Sequence, residues 1–222
     1  MKNIRSLLPA LLLLLAAGLS AQGIGLRAGV NFQNINGKNA AGDKLENDLV
    51  AGFNAGINGE IPIAPDFYFQ PGLMFTLKGA KSTGEILGQS VASKLTLGYL
   101  EIPVNLVHKP ALGSGRLILG FGPYVGFGLT GNAKLESGDN NADLDVEYKN
   151  TVEISDPDDV FYFRRFDAGA NILAGYEFAN GLSFQLNTQL GLVNINPEYQ
   201  GIADDKSKWN HTGFGASLGY RF

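Results

Sequence analysis

Apolar residues stand at every second position through eight separate stretches of this chain, and that period constrains the fold more than any other feature. A strand sends successive side chains to opposite faces, so each stretch has one apolar face and one face of small or polar residues. The stretches run over 24–33, 50–61, 67–78, 94–107, 116–130, 163–178, 182–193 and 210–222. In the third, Phe67, Phe69, Leu73, Phe75 and Leu77 oppose Tyr68, Gln70, Thr76 and Lys78. In the fifth, Leu119, Phe121, Val125, Phe127 and Leu129 oppose Gly120, Gly122, Tyr124, Gly126 and Gly128. The last ends Leu218-Gly219-Tyr220-Arg221-Phe222, again alternating. The pattern predicts eight strands and no long helix in the mature chain.

The connections alternate in length. Short turns are expected at 62–66, 108–115 and 179–181, the last holding Asn180-Gly181, a strong hairpin signal. Long polar connections are expected at 34–49, 79–93, 131–162 and 194–209. An even strand count with short turns at one end and long loops at the other is the arrangement of outer-membrane barrels. The fold class predicted is therefore all-β, an eight-stranded antiparallel up-and-down transmembrane β-barrel, with both termini periplasmic and the long loops extracellular. A soluble ligand-binding barrel of eight strands would invert the faces, with an apolar lumen. Gly-rich faces fit a narrow lumen, whereas Gly on a solvent-facing strand surface weakens the strand without return.

Residues 1–21 carry Lys2 and Arg5, then an apolar run from Leu7 to Leu19, then Ser20-Ala21. A charged start, a short apolar run and small residues at its end predict a signal peptide cleaved after 21, with residues 22–222 as the barrel domain. The run is shorter than the ~20 apolar residues a spanning helix needs, and Pro9 shortens it further. Without Lys2 and Arg5, the 17 basic residues fall to 15 against 21 acidic, a net charge of −6. That balance argues against a nucleic-acid partner, which calls for a basic face. With 0 cysteines there is no thiolate or disulfide chemistry and no lipid attachment through Cys.

Several short segments carry a family likeness. They are Gly25-Leu26-Arg27-Ala28-Gly29-Val30-Asn31, Phe69-Gln70-Pro71-Gly72-Leu73-Met74-Phe75, Tyr99-Leu100-Glu101-Ile102-Pro103, Gly120-Phe121-Gly122-Pro123-Tyr124 and Phe166-Asp167-Ala168-Gly169. With the closing Leu218 to Phe222 strand, these resemble the PorT-like outer-membrane β-barrel family of Gram-negative bacteria, across essentially the whole mature chain. The resemblance implies an integral outer-membrane barrel among outer-membrane lipids and lipopolysaccharide. It also implies that the barrel-assembly machinery reads the last strand, through Leu218, Tyr220 and Phe222. It implies no single activity, since only the namesake subgroup is tied to protein secretion.

Material for catalysis is thin. His108 falls at a strand end next to Lys109-Pro110, and His211 at the outer end of the last strand, where it is expected to meet water or a loop at the rim. Two histidines at opposite ends cannot share a metal. Asp139, Asn141 and Asp143 mimic the opening of a calcium loop, but Leu144 and Asn150 stand where Gly and a bidentate Glu belong. The acidic 131–162 connection therefore reads as a solvated loop. Trp209 and tyrosines 99, 124, 148, 176, 199 and 220 read as candidates for interfacial aromatic girdles.

The remaining constellation is electrostatic. By strand parity Arg27, Lys78, Arg165 and Arg221 face the lumen together with Glu60, Glu101, Asp167 and Glu177. Four bases against four acids predict a paired network that fills an interior only wide enough for side chains or one small ligand. The expected function is a non-enzymatic structural or surface-interaction role through the extracellular loops, with no catalytic residue, metal or cofactor. The alternatives are an accessory part of a secretion apparatus, which would bring a secretion partner, and a lipid-modifying enzyme built on a rim histidine.

Overall fold

The computed structural model describes residues 23–86, 89–138, 140–201 and 205–222, so the expected signal peptide lies outside the described residues. Eight strands close into a ring: β1 (Ile24–Lys38), β2 (Val50–Gly59), β3 (Phe67–Ile86), β4 (Gln89–His108), β5 (Gly115–Ser137), β6 (Phe166–Glu177), β7 (Leu182–Gly191) and β8 (Lys208–Arg221). Each pairs antiparallel with its chain neighbour. The ring closes where β8 pairs with β1, from Gly25↔Arg221 to Lys38↔Lys208. Closure gives every strand of the ring a hydrogen-bonded neighbour on both sides, the condition for crossing hydrocarbon with strands.

Parity decides which side meets the membrane. Val30, Phe53, Phe121, Leu186 and Leu218 stand exposed on the outer face, while Asn31, Gln33, Asn54, Gln70 and Asn105 are buried inside. A soluble ligand-binding barrel would show the opposite, so the chain is a transmembrane barrel.

Glycine lets the ring stay narrow. A Cβ on Gly122 would stand 2.0 Å from the Val104 carbonyl oxygen of β4, closer than any side chain permits. At the β6–β7 turn, Gly181 takes φ 85° and the Asn180 side chain accepts from the Leu182 amide at 3.1 Å. The expected 62–66 turn is tighter than read. Ile61–Ala64 pairs back onto β3, which leaves Pro65 and Asp66, with Asp66 at φ 61°, to reverse the chain.

The wall is uneven in height. Strands β3, β4 and β5 have 20, 20 and 23 residues, against 10 each for β2 and β7. Since about 9–11 residues cross a bilayer, roughly half of each long strand projects beyond it at the long-loop end. The expected 79–93 loop is instead the upper part of the β3–β4 hairpin, paired from Gly79↔Thr96 to Ile86↔Gln89.

The 131–162 segment is likewise not a plain solvated loop. Residues Asn132 to Ser137 pair with Asn140 to Asp145 of the strand Asn140–Tyr148, and Phe161–Phe163 adds to the end of that strand in parallel. Thr151–Val152 pairs with Glu198–Tyr199, tying the third long connection to the fourth. Together these pieces form a cap with its own core of Ile35, Ala80, Leu97, Tyr99, Phe163 and Ile195, against which Leu45, Val146 and Trp209 pack. Asn141 and Asp143 lie on an extended strand, where alternate side chains stand ~6–7 Å apart. They do not curl around a common centre, and Asp139 lies outside the described residues.

Candidate functional site

Strand parity brings most of the lumen charges together in two clusters at different heights. Near the short-turn end, Lys109 Nζ lies 2.6 Å from Glu60 Oε1 and 2.7 Å from Glu177 Oε2. Arg221 contacts the same two carboxylates, through Nη2 at 2.5 Å and Nε at 3.1 Å. Gln70 donates to Glu60 at 3.0 Å. Two cations and two anions thus alternate in a closed ring, so each buried charge meets two of opposite sign.

Above an apolar layer of Val107, Ile118 and Leu173, the second cluster centres on Lys78, which is 0 % exposed. Its ammonium lies 2.6 Å from Glu101 Oε1 and 2.8 Å from Asp167 Oδ2. It also sits over the Tyr124 ring, 4.4 Å from the centroid. Tyr124 donates to Asp167 at 3.1 Å, and His211 Nδ1 is 3.1 Å from the same oxygen. Glu101 accepts from Thr76 at 3.0 Å and from Gln189 at 3.2 Å. Every lone pair filled in this way offsets part of the cost of taking a carboxylate out of water.

Two expected members fall elsewhere. Arg27 faces the lumen but makes no ion pair among the described residues; it donates to Gln185 Oε1 at 3.2 Å, and its Nε has no partner. It shares with Glu101, Asn105 and Gln189 the lining of a cavity of about 30 Å³, room for about one or two waters. Arg165 is not in the lumen. The β5–β6 ladder ends at Phe127↔Phe166, and the bend at Arg165 turns its exposed side chain over the Tyr148 ring at 5.7 Å. Lys109 takes its place, so the lumen still holds four bases and four acids. The signal for Lys109 was one further step of the inward parity of β4: 101, 103, 105, 107, 109.

His211 is not a rim histidine. It is 1 % exposed, held between Asp167 and the edge of Tyr99, whose ring centroid is 5.2 Å away. Tyr99 and Tyr124 are lumen residues rather than girdle residues, as their position opposite the lipid-facing Leu100 and Val125 requires. Trp209 packs on Phe163 in the cap, with centroids 5.8 Å apart. At the short-turn end, Tyr220 meets Phe222 and Tyr176 meets Phe178 edge to face, at 5.1 and 5.0 Å. His108 lies at that same end, stacked on Phe67 at 4.3 Å. Of the terminal residues, Leu218, Tyr220 and Phe222 all point outward on the exposed face.

The cap holds an open recess of about 240 Å³, lined by Ile35, Leu45, Ala80, Leu95, Phe163 and Trp209, with Ser82 and Ser93 at its edge. Below it, His211 and Asp167 are both shut inside the wall.

Among solved structures, neisserial surface protein A matches over 90% of this chain and 99% of its own, at 11% identity and TM-score 0.44. Ail, the attachment invasion locus protein of Yersinia pestis, matches over 91% and 99%, at 14% identity and TM-score 0.37. No curated protein sequence matches the chain. The family model described as "Outer membrane protein beta-barrel domain" matches residues 20–196. With a closed ring of eight strands, an apolar outer face and this match, the chain belongs to the outer-membrane protein β-barrel domain family of the bacterial outer membrane.

Proposed function

We propose that this protein is a non-enzymatic surface-interaction barrel that works through its long-loop end, which faces the cell exterior. One observation carries the reading: the long connections are folded into a cap with a buried core instead of trailing into solvent. Fixing a residue's backbone costs roughly 1–2 kcal/mol of entropy, so an ordered cap presents a surface whose ordering cost is met before any partner arrives. The lumen gives further support, because four bases and four acids with interleaved apolar and aromatic side chains fill it as a plug. The short-turn end, by contrast, is built from tight hairpins with little surface of its own.

The test is photo-crosslinking in intact cells from two ends of the barrel. A crosslinker at Ile154, which is 82% exposed on the cap, should give a discrete adduct. One at Phe178, beside the short turn, should give only lipid. Adducts to protein at Phe178 and none at Ile154 would reverse the reading and favour the alternative, an accessory part of a secretion apparatus.

A further inference from the structure

We propose that a row of three lysines on the outer face of the tall wall, Lys81, Lys94 and Lys134, binds the phosphate groups of lipid headgroups. The register places Lys81 opposite Lys94 on β3 and β4, and Lys94 opposite Lys134 on β4 and β5. Residues directly opposite across a ladder hold their Cβ atoms ~4.5–5.5 Å apart, and like charges so placed repel. All three side chains are exposed. Lys134 has a partner in Asp143 at 3.6 Å, both well exposed and therefore weakly coupled. Lys81 and Lys94 form no ion pair among the described residues. Glu136 follows Lys134 two residues on, and Asp48 pairs with Lys81 only through backbone hydrogen bonds. Among the described residues, the exposed Lys134–Asp143 contact is the one ion pair that offsets this repulsion, and it leaves Lys81 and Lys94 unmatched.

Position indicates the counter-charge. Lys81 lies four residues beyond Leu77 on the same face of β3, a face that is apolar from Phe67 to Leu77. At ~3.3 Å per residue and a strand tilt of ~40°, that is roughly 10 Å above the end of the apolar band. Lysine stems reach back along the wall, which brings the ammonium groups into the headgroup layer. The side chains point sideways toward the membrane and not from the loop tips toward solvent, so the partner is a membrane lipid and not a soluble polyanion. A second row repeats the motif, with exposed Lys38 opposite Lys208 and bridged to exposed Lys44.

The test uses the folded barrel in neutral detergent, titrated with bisphosphorylated lipid A, with dephosphorylated lipid A and with inorganic phosphate, and read by native mass spectrometry. With each lysine near a headgroup layer contributing appreciably to attraction, the Lys81→Gln/Lys94→Gln/Lys134→Gln variant should need at least about tenfold more lipid A for the same occupancy. Dephosphorylated lipid should bind both forms alike, and inorganic phosphate should not displace lipid A. Unchanged lipid A binding by the variant, equal binding of the dephosphorylated lipid to the wild type, or displacement by inorganic phosphate would each overturn the proposal. Should the triple variant lose the heat-dependent mobility of a folded barrel, Lys94→Gln alone serves, because it is the shared neighbour. Its unfolding midpoint should rise in neutral detergent as repulsion is relieved, and this gain should shrink when lipid A is added. A lowered midpoint without lipid would show that the row serves the barrel itself.

Discussion

Replacing Lys78 with Met should destabilise the barrel more than any single change on its outer surface. The side chain is 0 % exposed and touches two carboxylates, at 2.6 and 2.8 Å. At an effective dielectric of ~20, each contact represents roughly 6 kcal/mol of Coulomb attraction, most of which offsets the cost of burying the ions. The useful magnitude is the cost of stranding the partners. Removing one member of a buried pair costs about 3–5 kcal/mol, because the charge left behind has neither water nor counter-ion. Met keeps the volume, so no cavity confuses the result, while Glu101 and Asp167 are left facing each other. Urea unfolding from lipid vesicles, followed by the fluorescence of the single tryptophan, measures it. With a slope of roughly 1–3 kcal/mol per molar, the midpoint should fall by at least about 1 M. Arg165→Met, on a cation the structure places outside the lumen, should cost under about 1 kcal/mol, the value of an exposed cation–π contact. Lys109→Met should cost less than Lys78→Met, because Glu60 and Glu177 each keep Arg221. Equal midpoints for the Lys78 and Arg165 variants would refute the assignment of buried and exposed cations.

Three further outcomes follow from the same geometry. The protein should run faster on a gel unheated than boiled, since a closed ladder resists detergent; a single mobility would contradict a closed ring. Deleting Phe222 should lower the amount of assembled barrel far more than its stability. The finished structure loses one backbone bond to Ile24 and an edge contact with Tyr220, together worth about 2 kcal/mol; normal assembled levels would remove the recognition role. In the cap, the Lys149 ammonium and the Glu153 amide hold the Asp156 carboxyl below the usual range. The order it confers is present above its unfolded value of ~3.9 and is lost as the pH falls through the lower folded value. Protection of the Glu153 amide, taken against its intrinsic exchange rate at each pH, should fall over that acid window, and Asp156→Asn should lower it already at neutral pH.

Alternation made the wall legible because it is a local property, fixed by two residues at a time. Phe121 beside Gly122, or Leu100 beside Glu101, announces both strand and facing without knowledge of any neighbour. What sits above the membrane is not local. The cap depends on Phe163 meeting Ile35 and Ile195, and on Thr151–Val152 meeting Glu198–Tyr199, residues far apart in the chain. Polar composition in 131–162 suggested a loop, since a hairpin projecting into water needs no apolar face until another segment folds against it. The tyrosines show the same division. Their parity, already visible, placed Tyr99 and Tyr124 inward, while aromatic character alone suggested the membrane interface.

The exchange of Arg165 for Lys109 shows what constrains the lumen. Parity predicts a facing while the ladder continues; past a strand end a bend can turn a residue out, or the alternation can carry one more residue inward. Arg165 lies just past the last β5–β6 pair, and Lys109 just past His108, with its amide bonded to the Asp66 carbonyl at 2.7 Å. Charge balance was nevertheless preserved, because an interior this narrow does not tolerate an odd ion. Neutrality therefore acts as a constraint on the whole barrel, over and above the pattern of each strand. It explains why Arg27, without a carboxylate in contact, still lines the cavity beside Glu101. Lys78 bears a single charge against the two of Glu101 and Asp167, and Arg27 supplies the balancing one across a space that holds about one or two waters. Arg27→Met should therefore destabilise the barrel even though it breaks no direct ion pair. In the double variant with Glu101→Gln its cost should largely disappear, a coupling that a double-mutant cycle in the same urea assay would read directly.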